Sequence, residues 1–189
     1  MVKYFFCDVE TTGFDPKKNG ILEIGGIIEY EGTYEEFVFK CQPHLKDEIA
    51  QEALDVNKIT TEEIKTFPTA KETYTKLIRL LDKHINKYDR TDKFQFVAYN
   101  APFDSNFIRE FFKKSGNNFY GSYFFHPYID VMTITALRLR KERPSMPSFH
   151  LKDAAKKIGL DVEEEKLHGA MYDILLTREV YYNNLAFFV

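Results

Sequence analysis

The stretch KYFFCDVETTG, residues 3–13, decides the fold. It opens as an apolar run and then turns acidic at Asp8 and Glu10, before Thr11, Thr12 and Gly13. Side chains alternate across a strand, so Tyr4, Phe6, Asp8 and Glu10 share one face while Cys7 and Val9 take the other. A face that is apolar up to the point where two carboxylates begin has the pattern of a buried strand whose carboxyl end rims a site. An edge strand with one solvated face is the alternative. Burying two like charges side by side is costly unless a cation accompanies them.

Around this strand (2–10) the pattern predicts a second at 21–32, a third at 33–43 and a fourth at 93–100, with a short fifth near 124–129. The Glu31-Gly32 connection makes the second and third a hairpin, and Gly25-Gly26 marks a bulge or a close approach. Helical spacing predicts helices over 69–88, 101–116, 131–142, 149–158 and 169–186. Antiparallel strands followed by strands alternating with helices imply an α/β fold with a mixed five-stranded sheet covered on both faces. The 189 residues contain no repeat or linker-like tract, so they read as one domain, 1–189.

A formal charge of −3 argues against a protein that grips long duplex DNA through a broad basic face, but not against one that handles a short nucleic-acid end. No apolar run of about 18 residues predicts a membrane span. The acidic residue at position 8 excludes a signal peptide. With Cys7 and Cys41 as isolated thiols, a reducing, cytoplasmic setting is expected.

Two further acidic motifs follow. In NAPFD, residues 100–104, Asp104 stands where the fourth strand hands over to a helix. Asn100 and Pro102 can equally serve as cap and first-turn residues, with Asp104 complementing the helix dipole. In HGAMYD, residues 168–173, His168 precedes Asp173 by five positions at a helix mouth. Together Asp8, Glu10, Asp104 and Asp173 carry four negative charges, which two divalent ions balance. Hard oxygen donors suit Mg²⁺ or Mn²⁺, and His168 is left as a base near neutral pH. Two ions roughly 3.5–4 Å apart can activate water against a phosphodiester.

DVETTG, NAPFD and HGAMYD, in this order, resemble the three motifs of the DEDDh 3′→5′ exonucleases, a family that includes the proofreading epsilon subunit of bacterial DNA polymerase III. The resemblance implies a ribonuclease H-like fold and release of 5′-mononucleotides from a 3′ end. It implies that Asp8, Glu10, Asp104 and Asp173 hold two metals, that Glu10 also meets the 3′-hydroxyl, and that His168 deprotonates the attacking water. Thr11, Thr12 and Gly13, with Asn100 and Phe103, would bind the terminal nucleotide, and a ring at Phe103 can stack on a base. The sister DEDDy group has a Tyr four residues before the last Asp, where this chain has Gly169. Two departures stand out: Tyr99 replaces a common His, and Gly169 a common Arg.

ETTG is similar to the run in proofreading-type DNA exonucleases, and that resemblance implies single-stranded DNA ends. RNA trimming, dinucleotide hydrolysis and a non-catalytic binding module remain alternatives. A polymerase is a conceivable partner, although the chain stops soon after its last helix and shows no tethering tail. Asp130 is expected to cap its own helix, Glu23 to face solvent or a loop, and the basic run RLRKER (138–143) to complement a helix end.

Overall fold

The computed structural model describes residues 1–163 and 170–188. Its five strands are β1 (Lys3–Thr11), β2 (Ile21–Tyr30), β3 (Thr33–Lys40), β4 (Phe94–Ala98) and β5 (Ile129–Asp130). They form one sheet in the order β3-β2-β1-β4-β5. β1 to β3 pair antiparallel, whereas β4 runs parallel to β1 and to β5. This is the mixed sheet that the element order implies, in the ribonuclease H-like arrangement that the family resemblance implies. Glu31 and Gly32 close the β2–β3 hairpin with φ of 45° and 75°, the left-handed pair that a two-residue turn requires.

Seven helices surround the sheet among the described residues: α1 (Gln51–Asn57), α2 (Thr61–Ile64), α3 (Ala70–His84), α4 (Ala101–Lys114), α5 (Val131–Arg138), α6 (Leu151–Lys157) and α7 (Ala170–Phe188). Odd residues of β1 point one way: Phe5, Cys7 and Val9 pack with Leu77 and Leu81 of α3 and Phe107, Phe111 and Phe112 of α4. On the other face Phe6 meets Val131 of α5, Ala155 of α6, and Ile174, Val180 and Tyr181 of α7. α7 is further fixed by a two-pronged ion pair, Arg178 Nε and Nη2 donating to Glu29 at 2.7 and 2.8 Å. Its Tyr181 ring lies edge-on to Tyr4, centroids 5.5 Å apart. Among the described residues no helix is long and apolar enough to cross a membrane.

Three expectations need correction. The fifth strand, expected near 124–129, is shorter and later: Phe124 makes one isolated bridge to Phe94, and the ladder itself is only Ile129–Asp130. Pro127, between the two, has no N–H to give to a ladder. The helices expected to run to 88 and 142 stop at His84 and Arg138. Helices α1 and α2 were not anticipated, because two turns hold too few apolar residues to show a period. They bury Leu54 and Ile64 with Phe67 against Leu22, a small cluster apart from the main core. Gly26 does mark a close approach, since a Cβ there would lie 2.4 Å from the Phe37 ring. The bulge, however, is on β1, where the register shifts between Glu10 and Thr11.

Candidate active site

β1 is the central strand, with β2 and β4 on its two sides, and its carboxyl end carries Asp8 and Glu10 on the α7 face. Gly25 pairs opposite Asp8, which keeps that flank free of a side chain. Asp104 arrives on the first turn of α4 and is 3% exposed; Val9 N–H donates to its Oδ1 at 3.1 Å, joining the first acidic motif to the second. Asp173 arrives on the first turn of α7 from the opposite face and acts electrostatically on both Asp8 and Glu10. Residues far apart in the chain are thus brought to one end of one strand. His168 lies outside the described residues.

The electrostatics are those of crowded acids. Burial, then Glu10, Asp173 and Glu23, push Asp8 up to about 8. Burial, then Glu23 and Asp173, push Glu10 up to about 7. Asp104 is raised well above the carboxylate range by burial and by Asp8, against the lowering pull of the Val9 N–H. Burial raises the Cys7 thiol as well, so it stays protonated and inert on the core side. Among the described residues, no three His, Cys, Asp or Glu side chains converge tightly enough to hold an ion by distance alone. The donor set nonetheless fits a hard cation: every donor is a carboxylate oxygen, and the mutual repulsion that lifts these groups is the energy a cation would recover.

Two acids do what the sequence did not reveal. Glu23, expected to face solvent or a loop, pairs opposite Glu10 across β1 and β2 and adds to the field on both β1 acids. Asp130 does not cap its own helix. Its Oδ1 accepts from the backbone N–H groups of Asn100 and Ala101 at 3.1 and 3.2 Å, and its Oδ2 accepts from Thr133 Oγ1. Asn100 itself sits in the left-handed region (φ 67°) and makes no side-chain cap, so β5 supplies the cap that α4 lacks. Asp130→Ala should lower turnover about 10–100-fold while Asp130→Asn, which keeps an acceptor oxygen, retains most of it; steady-state rates of the two variants check this.

The loop after Glu10 is packed from behind. Thr12 is fully buried, and its hydroxyl donates to Glu48 O (2.6 Å) and accepts from Gly20 N–H (2.9 Å). That side chain is therefore engaged inside the loop, which leaves its backbone for any contact with a ligand. Thr11 Oγ1 donates to Gly13 O at 2.7 Å. A Cβ on Gly13 would lie 2.5 Å from the Asn19 side chain, so only glycine fits there. Asn57, the last residue of the unanticipated α1, donates Nδ2–H to Thr11 O at 3.0 Å and so braces the bulge that follows Glu10. Phe103 is half-buried, its ring centroid 4.9 Å from that of Phe107 and tilted by 49° to it. Tyr99, at the departure from the usual motif, donates its hydroxyl to Phe149 O at 2.8 Å and ties the end of β4 to the segment before α6.

The family model for exonucleases, RNase_T, matches residues 5–181, nearly the whole chain. The chain belongs to the RNase_T exonuclease family. Divalent metal ions are the general cofactor of this DEDD exonuclease class, in keeping with the all-carboxylate donor set. Among curated relatives, a PolC-type DNA polymerase III of Thermotoga petrophila is 29% identical over 179 residues, covering 94% of this chain and 11% of the polymerase. A ribonuclease T of Shewanella denitrificans is 28% identical over 184 residues, covering 92% and 76% respectively. The chain therefore spans about a tenth of the polymerases it matches and most of the ribonuclease. Among solved structures, Escherichia coli Exonuclease I in complex with a dT13 oligonucleotide superposes with a TM-score of 0.74 at 21% identity, over 98% of this chain and 41% of that one. This likeness establishes that the RNase_T exonuclease fold is shared.

Proposed function

We propose that this chain is a metal-dependent 3′→5′ exonuclease that releases 5′-mononucleotides from single-stranded DNA. The observation that carries the reading is the convergence of Asp8, Glu10, Asp104 and Asp173 from two faces of the sheet onto the end of β1. These residues would hold two divalent ions, Mg²⁺ or Mn²⁺, which when bound supply the activation of a water and the stabilisation of the leaving 3′-oxygen. The remaining roles belong to the chain itself. His168 takes the proton of the attacking water, and Glu10 meets the terminal 3′-hydroxyl. Thr11 and Gly13, held by Asn19 and Asn57, present the loop on which the terminal nucleotide rests. Asn100 and the open side of the Phe103 ring flank its base. The region matched by the family supports reading residues 1–189 as one exonuclease domain.

The matches to PolC-type polymerases support a DNA substrate and a proofreading or repair setting, with a polymerase as a partner that docks on the folded domain. The ribonuclease T match favours a second reading, trimming of RNA 3′ ends, since the 2′-hydroxyl is what separates the two substrates. Buried, free Cys7 and Cys41 support a reducing, cytoplasmic location. A time course with Mn²⁺ on 5′-labelled single-stranded DNA and its RNA twin tests the proposal. Stepwise shortening from the 3′ end is expected, faster on DNA and absent with Asp8→Ala. Faster RNA shortening would move the assignment to the second reading, and no shortening of either strand would overturn the enzyme itself.

A further inference from the structure

Behind the loop that follows Glu10 lies a cavity of about 540 Å³, lined by Lys17, His44, Leu45, Lys46, Asp47 and Lys114. Its volume is in the range of small-ligand sites. The charges around it are unequal in use. Asp47 is consumed locally: it pairs with Lys114, accepts the His44 backbone N–H at 2.9 Å and stands 3.6 Å from His44 Nδ1. Lys17 and Lys46 are exposed and enter no ion pair among the described residues. Lys17 and Lys46 thus line the cavity with no carboxylate partner among the described residues, in a chain whose net charge is −3. Beside them the His44 ring is held between Asp47 on Nδ1 and Ser115 Oγ, 3.3 Å from Nε2, and so gives the wall a fixed edge. Leu45, fully exposed, offers an apolar rim against which a sugar or base can rest.

The cavity is wired to the candidate active site. Lys114 Nζ, in its wall, also donates to Asn19 O at 2.7 Å, and the Asn19 side chain is the group pressed against Gly13. Lys17 belongs to the same loop, and Lys18 O accepts from Glu48 N–H at 2.7 Å. An anion placed between Lys17 and Lys46 would bridge the loop to the 44–47 segment behind it.

We propose that this cavity is a phosphate subsite, separate from the acidic site, that takes either a backbone phosphate of the strand being degraded or the phosphate of a free mononucleotide. The nuclease reading enters only in naming nucleic acid as the source. The chemistry required is the same in both cases: lysine ammonium groups around a dianion or diester.

The test uses the full chain in EDTA, so that no turnover is involved, with Lys17→Ala/Lys46→Ala as the variant, both positions being exposed. Inorganic phosphate is titrated while the amide resonances of residues 17, 44–47 and 114 are followed. In parallel, the affinity for single-stranded oligomers is measured against salt concentration. For a strand-borne phosphate, the double variant binds a long oligomer about tenfold more weakly. Its salt slope falls by about 0.7 per lost contact, and a dinucleotide is bound as before. For a free phosphate, those resonances shift with phosphate in the native chain and not in the variant, while strand affinity and slope are unchanged. The proposal is overturned if neither the phosphate shifts nor the salt slope distinguishes the two proteins. Failure to degrade DNA or RNA with Mn²⁺ would instead remove the nuclease reading and leave a positive phosphate titration standing.

Discussion

Asp8→Asn is expected to abolish hydrolysis and at the same time to make the metal-free protein more stable. The first effect follows from removing one of the donors proposed to hold the ions. A loss on the order of 10³ in turnover corresponds to about 4 kcal/mol of transition-state stabilisation. The second follows from the field at the site. Asp8 is buried beside Glu10, Asp173 and Glu23, and its carboxyl is pushed up to about 8. An amide of the same shape removes a charge that the fold disfavours, whereas most substitutions of buried polar groups destabilise. At pH 8 in EDTA the melting temperature should rise by about 5–10 °C, as a gain of a few kcal/mol implies at this chain length. A protein that loses activity but melts lower than the native chain would mean that the acids are not mutually destabilising and that the site is held by contacts instead.

Metal-free protein is expected to lose stability as pH rises from 5 to 8, and divalent ions to restore it mainly at the upper end. Asp8 and Glu10 carry folded values of about 8 and about 7, against ordinary values of 3.8 and 4.5. Between those limits the native state holds protons that the unfolded chain has released, so unfolding becomes easier with each step upward in pH. Above about pH 8 both states are ionised and the curve flattens. Carboxylates held low by partners have finished titrating below this window. Glu29 is held by Arg178, and Asp47, against the opposing effect of its own burial, by His44 and Lys114. They add no slope of their own between pH 5 and 8. A cation competes with those protons. Mn²⁺ at a hundred times its dissociation constant adds about 2.7 kcal/mol, or about 5–10 °C, at pH 8. At pH 5, where protons already occupy the carboxylates, the gain should be much smaller. Melting curves in EDTA and in Mn²⁺ at the two pH values check this. A metal-free melting temperature that climbs from pH 5 to 8 would sink it.

Local periodicity made the sheet legible. Alternation along residues 3–10 puts Cys7 and Asp8 on opposite faces, and the structure buries Cys7 in the α3–α4 core while Asp8 faces α7. Pro102 and Asp104 mark the start of α4, where it occurs. What stayed hidden depends on pairings that no local pattern encodes. Glu23 lies opposite Glu10 because of the β1–β2 register. Asp130 caps a helix that begins 29 residues earlier, at Ala101, a link created only when β5 joins β4. Asn57 braces Thr11 from a helix of seven residues, too short to announce itself by spacing, although the Thr60–Glu63 capping box of its neighbour α2 was a readable start signal. That the four acids belong to one site was an expectation drawn from their summed charge and from the resemblance of the three motifs to the DEDDh exonucleases. That Thr12 spends its hydroxyl inside the loop was not legible, because its acceptor, Glu48 O, belongs to a distant backbone segment.

Asp173 reaches the site on α7 alone, and that helix is fastened to the sheet by the Arg178–Glu29 ion pair and the Tyr4–Tyr181 contact. Under the proposed function, cutting therefore depends on an event smaller than unfolding. Detaching the first turns of α7 withdraws one acid while β1, β4 and the other three acids stay in place. The same detachment relieves the repulsion on Asp8 and Glu10, so an ion-free molecule has a reason to let the helix lift, and an ion-bound one a reason to hold it down. Hydrogen exchange along the first turns of α7 would then record metal occupancy directly, as protection gained at a helix whose backbone touches no ion.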